Sequence, residues 1–201
     1  MKTVDFYFDL MSPYAYLASV HLPAVAKRFK GQASFVYHPV DLVAVRFAAG
    51  NNGPFNRNIP AKFKALLADL NRWARRYEVP FTMPAELKTA RVNRGFLWAR
   101  SQGREMEYLH AAYNAVWGHG RNPETDATLN EIARAAGLPP EKLLRGIDDP
   151  AIVQQYERET EAAKARGVFG VPVFLVDDQI FWGNDRIEFL EEYLRESPRE
   201  L

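Results

Sequence analysis

Strand character in this 201-residue chain is confined to its two ends, and residues 41–166 between them carry helical periodicity with no convincing strand. Residues 3–9 alternate with aromatics and predict a short, half-buried strand. Ser12 and Pro13 follow as an N-cap and a proline at the first helical position, which starts a helix over 13–29. Its expected buried residues are Tyr16, Leu17, Val20, Ala24 and Phe29, and Gly31 ends it. Residues 34–38 predict a second strand, stopped by Pro39. The middle predicts helices over 61–77, 89–103, 105–117, 126–137, 140–146 and 151–166. Gly103, Gly118 and Gly137 suit C-terminal caps, and Pro80, Pro84 and Pro139 fall in connections. Strand character returns at 171–176, a tight turn at Asp177-Asp178 leads to a second strand at 179–182, and a helix over 185–195 follows.

The order is therefore β-α-β, a helical block, then β-β-α. This is the thioredoxin arrangement, and the expected class is α/β, a thioredoxin-like scaffold with a large all-helical insertion. Residues 1–40 and 167–201 form the expected discontinuous thioredoxin-like domain, and 41–166 the helical insertion domain.

The chain has no cysteine, which excludes disulfides, thiolate metal sites and a cysteine nucleophile of its own. Any thiol chemistry must bring its sulfur from outside. The four histidines, His21, His38, His110 and His119, show no metal-ligand spacing and read as packing or surface residues, so no metal is expected. A net charge of +1 points to neither nucleic acid nor a membrane surface. No apolar run approaches the roughly 20 residues of a bilayer span, and the first residues lack a signal-peptide core, so the expected compartment is the cytoplasm. The basic run of Arg72, Arg75 and Arg76 reads as a solvated helix face, and Trp73, Trp98 and Trp117 as core.

Four segments carry the candidate chemistry. A serine cap is ordinarily only a cap, but Ser12 follows the first strand, where its hydroxyl and the first-turn amides converge on one spot that favours an anion. A bound thiolate suits that spot: lowering a thiol from about 8.5 to about 6.5 needs roughly 2.7 kcal/mol of preferential stabilisation. In Gly167-Val-Phe-Gly-Val-Pro172, Pro172 is either an edge device or the cis proline that a thioredoxin order places opposite the first helix. In the second case the Val171 backbone can pair with an extended peptide. In Trp182-Gly183-Asn184-Asp185-Arg186, Asn184 or Asp185 is expected to cap the last helix, and its free amides and the Asp185 carboxylate suit the charged end of a γ-glutamyl group. The turn-rich loop from Gly50 carries Asn56 and Arg57, and Arg57 with Arg46 suits a carboxylate substrate.

With these segments in place the chain resembles the 2-hydroxychromene-2-carboxylate isomerases, relatives of kappa-class glutathione transferases and DsbA-type oxidoreductases. The carriers are Asp5-Phe-Tyr-Phe-Asp-Leu-Met-Ser-Pro-Tyr-Ala-Tyr-Leu-Ala, Gly50-Asn-Asn-Gly-Pro-Phe-Asn-Arg, Gly167-Val-Phe-Gly-Val-Pro and Trp182-Gly-Asn-Asp-Arg. The resemblance implies glutathione as cofactor, with Ser12 catalytic at its sulfur and Val171, Pro172, Trp182, Gly183, Asn184 and Asp185 holding the rest. It implies that Asn56 and Arg57 contact the organic substrate, a small aromatic carboxylate, and that the protein is a homodimer. Two positions depart from the pattern. Arg46 stands where similar isomerases carry a substrate-contacting lysine, and Leu87 where they carry a tyrosine.

The implied reaction is isomerisation of 2-hydroxychromene-2-carboxylate to trans-o-hydroxybenzylidenepyruvate by reversible thiolate addition, in the catabolism of naphthalene-like aromatics. Two alternatives stay open: a kappa-like transferase that consumes glutathione, and a non-catalytic binding module on the same scaffold.

Overall fold

The computed structural model describes residues 1–196; residues 197–201 of the expected scaffold segment lie outside the described residues. One four-stranded sheet forms in the order β2-β1-β3-β4. Its strands are β1 (Lys2–Phe8), β2 (Ala33–Pro39), β3 (Val173–Val176) and β4 (Gln179–Trp182). β1 runs parallel to β2 and antiparallel to β3, which pairs antiparallel with β4. The alternation in β1 divides the core. Val4, Phe6 and Phe8 face one layer, where Phe6 stacks on Phe174 at 5.1 Å, while Tyr7 faces the other.

The helices are α1 (Pro13–Arg28), α2 (Leu42–Ala48), α3 (Pro60–Arg76), α4 (Ala90–Ser101) and α5 (Glu105–Tyr113), then α6 (Asp126–Ala135), α7 (Pro140–Ile147), α8 (Pro150–Ala165) and α9 (Ile187–Arg195). The Phe6 face packs on α1, α9 and the helices of the insertion, and the Tyr7 face on α2 and the end of α8. The core is continuous between scaffold and insertion: Phe8 meets the Phe96 edge at 5.1 Å. No helix among the described residues is long and apolar enough to cross a membrane.

The expected order holds, with local differences. α2 was not expected as a separate helix. Its seven residues are too few to display a period, although Asp41 caps it through the Ala44 amide at 3.0 Å. The helix expected over 105–117 changes after Tyr113 into a π-turn, Asn114–Gly118, which swings Trp117 into the core. Strand β3 begins two residues later than expected, after the cis Val171–Pro172 peptide, where proline has no amide hydrogen for the ladder. In α1, Ala24 is exposed and the neighbouring Val25 takes the buried place, while Tyr16, Leu17 and Phe29 are buried as expected. Neither Asn184 nor Asp185 caps α9; a 3₁₀ turn over Asn184–Arg186 leads into it with no side-chain cap. Trp117 is core, whereas Trp73 and Trp98 are only partly buried against it.

His38 does more than pack. Its Nδ1 meets Glu159 Oε2 at 2.7 Å and its Nε2 meets Asp5 Oδ1 at 2.8 Å, tying β2 to α8 and β1. Arg166 closes the cluster on Asp5 Oδ2 at 2.6 Å and on the Tyr7 hydroxyl at 2.8 Å. Burial alone would lower the His38 pKa, but hydrogen bonds and charge from Glu159 and Asp5 outweigh it and raise the value above the ordinary one.

Candidate active site

The turn after β1 is built to present Ser12. The Ser12 amide donates to Asp9 O at 2.9 Å, closing the turn, and Ser12 then stands in extended conformation as the N-cap of α1. Its Oγ accepts the Ala15 amide at 3.2 Å and donates to Val171 O at 3.4 Å. Pro13 has no amide hydrogen, so the Tyr14 amide is the donor the first turn still presents. The two segments read separately in the sequence, the serine cap and the cis-proline loop, therefore meet through one hydroxyl. Ser12 is only 5% exposed. Its bond to Val171 is long for a hydroxyl, so the O–H can rotate to a stronger acceptor such as an incoming sulfur anion.

Beside Ser12 the surface opens into a cavity with two lobes that share Tyr14, Leu42, Phe55 and Asn56. The larger lobe, about 610 Å³, runs along Val171, Pro172 and the stretch Trp182–Arg186. The backbone makes this lobe. Gly183 N donates to Pro172 O at 3.0 Å, and Gly183 sits at φ 116°, ψ 152°, a conformation open to glycine. A Cβ there would run into the Asp185 carboxylate. Trp182 is 56% exposed and stands edge-on to Phe169, forming one wall. Asn184 is buried, and its Nδ2 has no hydrogen-bond partner among the described residues, though the Tyr77 phenol lies close enough to feel it. Asp185 pairs with Arg186 at 3.1 Å and stays half exposed.

The smaller lobe, about 160 Å³, contains Ser12 and is mostly apolar, walled by Met11, Leu66, Met83, Leu87 and Trp117. Asn56 and Arg57 supply its polar edge from a 3₁₀ turn, Asn56–Asn58, that feeds α3. Leu87 is buried in the floor, where a tyrosine would have brought a hydroxyl. Arg46 is not in this lobe. It lines the larger one, lies over the Phe55 ring at 4.1 Å, and donates to Asn51 Oδ1 at 3.1 Å and Gly53 O at 3.2 Å. The two arginines expected to face one carboxylate thus stand on different lobes.

Several residues here were not anticipated. Tyr14 lines both lobes and donates to Asp69 Oδ2 at 2.8 Å; burial first, and then Asp69, raise its pKa. Asp9 lies beneath the Ser12 turn, 2% exposed. Its Oδ1 accepts from Met11 N at 2.9 Å, Thr89 Oγ1 at 2.6 Å and Asn93 Nδ2 at 2.7 Å, and its Oδ2 from Leu42 N at 2.9 Å. Burial raises its pKa against the opposing pull of these four donors. Nothing in the spacing of Asp5 and Asp9 along the first strand separates the two acids; only the fold buries Asp9 as a hydrogen-bonded hub.

Residues 3–195 match the DSBA-like thioredoxin domain family. A 2-hydroxychromene-2-carboxylate isomerase from Sphingobium xenophagum is 45% identical over 193 residues, spanning 96% of this chain and 98% of that protein. The chain belongs to the 2-hydroxychromene-2-carboxylate isomerase family. The backbone agrees: a solved 2-hydroxychromene-2-carboxylate isomerase superposes with a TM-score of 0.89 at 35% identity, over 96% of this chain and 94% of that one. This chain is also similar, more distantly, to kappa-class glutathione transferases. Glutathione S-transferase kappa 1 of Caenorhabditis elegans is 25% identical over 98% of this chain and 92% of that protein.

Proposed function

We propose that this protein isomerises 2-hydroxychromene-2-carboxylate to trans-o-hydroxybenzylidenepyruvate with glutathione as cofactor, a step in the breakdown of naphthalene-like aromatics. The observation that carries the reading is the convergence at Ser12. In a chain of this isomerase family, the hydroxyl at the α1 terminus bonds the cis-proline backbone where a long polar lobe joins a small apolar one.

The larger lobe fits a zwitterionic tripeptide. Its volume is within the roughly 300–1,000 Å³ of ordinary ligand pockets, and it has a backbone edge, a buried amide donor without a partner, and charged groups of both signs. Val171 would pair with the peptide backbone, Asn184 and Asp185 would take its γ-glutamyl end, and Arg46 is placed for a carboxylate. When bound, glutathione supplies the sulfur nucleophile whose reversible addition to a conjugated carbon turns a double bond into a rotatable single bond.

The chain's own residues do the rest. The Ser12 hydroxyl and the first-turn amide stabilise negative charge at the sulfur position. Arg57 and Asn56 hold the organic carboxylate at the mouth of the small lobe, while Met83, Leu87 and Trp117 hold the ring and exclude water. Nothing in this arrangement oxidises the thiol, which is used and returned. A cytoplasmic setting, expected from the sequence, and a homodimer, implied by the resemblance, complete the reading.

The kinship with kappa-class transferases favours one second reading, conjugation of glutathione to an electrophile in the same lobes. Calorimetric titration with glutathione tests what both enzymatic readings share. One saturable site per chain, weakened by Asp185→Ala, is expected; absence of saturable binding would leave the scaffold as a non-catalytic module.

A further inference from the structure

The carboxylate of Asp9 touches neither lobe, yet it is the point at which three walls of the cavity are joined. Through the Met11 amide it holds the turn that presents Ser12. Through the Leu42 amide it holds the start of α2, whose Leu42 lines both lobes and whose Arg46 lines the larger. Through Thr89 and Asn93 it holds the start of α4, two residues beyond Leu87 in the floor of the small lobe. Asn93 reinforces the turn from below: its Oδ1 accepts Leu10 N at 3.1 Å, while Leu10 O accepts Trp117 Nε1 at 2.7 Å. The turn's backbone is thereby pinned on both sides. The segments of the larger lobe that flank β3 and β4, Val171–Pro172 and Trp182–Arg186, are not among the donors that the Asp9 carboxylate accepts from within the described residues.

We propose that Asp9 is a positioning residue for the isomerisation, fixing the Ser12 turn, α2 and α4 relative to one another so that the sulfur position and the small lobe stay in register. The proposal rests on the glutathione-dependent isomerase reading. A site held this way needs an acceptor for donors arriving from both sides of one group, and a carboxylate supplies acceptors on both oxygens. An amide does not. In Asp9→Asn the remaining oxygen can serve Met11, Thr89 and Asn93, but the new NH₂ then faces the Leu42 amide, donor against donor. The substitution preserves volume and most of the network, and releases α2.

The experiment compares wild type, Asp9→Asn and Tyr156→Phe. Tyr156 belongs to the same buried network, its hydroxyl accepting Asn93 Nδ2 at 3.0 Å, but removing that hydroxyl leaves all four bonds to the Asp9 carboxylate in place. Thermal midpoints, glutathione-binding stoichiometry, and kcat and KM for both glutathione and 2-hydroxychromene-2-carboxylate are measured well below each midpoint. Asp9→Asn is expected to lose at least tenfold in kcat with glutathione-binding stoichiometry unchanged. Tyr156→Phe is expected to lose comparable thermal stability with kcat retained. Equal kcat in Asp9→Asn and wild type, or equal kcat losses in both variants, would overturn the proposal. If wild type itself does not isomerise the chromene, the function reading fails and Asp9 is judged by the ultraviolet absorption of bound glutathione thiolate. That band is expected to weaken in Asp9→Asn, and an unchanged band sinks the role.

Discussion

On the proposed function, the Ser12 hydroxyl serves structure and chemistry together. As an N-cap it satisfies the Ala15 amide, which is worth about 1 kcal/mol. Its proton is loosely committed to Val171 O at 3.4 Å and is free to turn toward a sulfur anion. Ser12→Ala is therefore expected to lower kcat by about 100-fold, the usual effect of removing one donor from a developing charge. Glutathione affinity should change far less, because the larger lobe is untouched; steady-state rates and calorimetric titration on the same preparation would show this, and unchanged turnover removes Ser12 from the mechanism. Arg57 makes the complementary case on the substrate side. Losing a charge-assisted bond costs about 1.5–3 kcal/mol, so Arg57→Gln should raise KM for the chromene carboxylate roughly tenfold or more and leave glutathione binding alone. A rise confined to glutathione would instead assign Arg57 to the larger lobe. Arg46, which is in that lobe, shows the limit of reading charges along the chain: eleven residues separate it from Arg57, and nothing in that spacing says that they diverge.

At the scale of elements, the sheet edge beside α8 is where pH should act. His38 bridges Asp5 of β1 and Glu159 of α8, and its pKa is raised in the folded protein. A raised histidine pKa stabilises the fold fully below the unfolded value of about 6.5, and that contribution is lost as pH rises through the higher folded value. Each unit of such a shift is worth about 1.4 kcal/mol. Urea unfolding of wild type and His38→Gln should consequently show a larger stability gap at pH 5.5 than at pH 8.5, and a gap independent of pH would contradict the pairing. The sequence named His38 but not its partners, because Asp5 and Glu159 are 154 residues apart and come together only through sheet pairing and α8 packing. Elements with strong start signals were legible: Ser12-Pro13 for α1 and Pro140 for α7. Short or irregular ones were not. The seven residues of α2 display no period, and the π-turn after Tyr113 keeps a helical pattern in its side chains while changing the backbone.

For the molecule as a whole, the order of strands and helices was enough to anticipate a thioredoxin-like scaffold with a helical insertion, while the strand order β2-β1-β3-β4 is seen only in the structure. Each residue expected at the site borders the two-lobed cavity. What the order could not give was the division of labour between the lobes. That division depends on how α2, α3 and the start of α4 pack around the Ser12 turn, and it is why Tyr14, Asp69 and Asp9 came to light only in three dimensions. On the proposed function the central chemical question is whether glutathione takes part and is returned. The decisive measurement follows the ultraviolet spectrum of 2-hydroxychromene-2-carboxylate with the protein, with and without glutathione, while free thiol is titrated. Rapid formation of the trans product only with glutathione, and with thiol conserved, is the result expected here. Thiol disappearing in step with the chromene, or conversion at the same rate without glutathione, would contradict it.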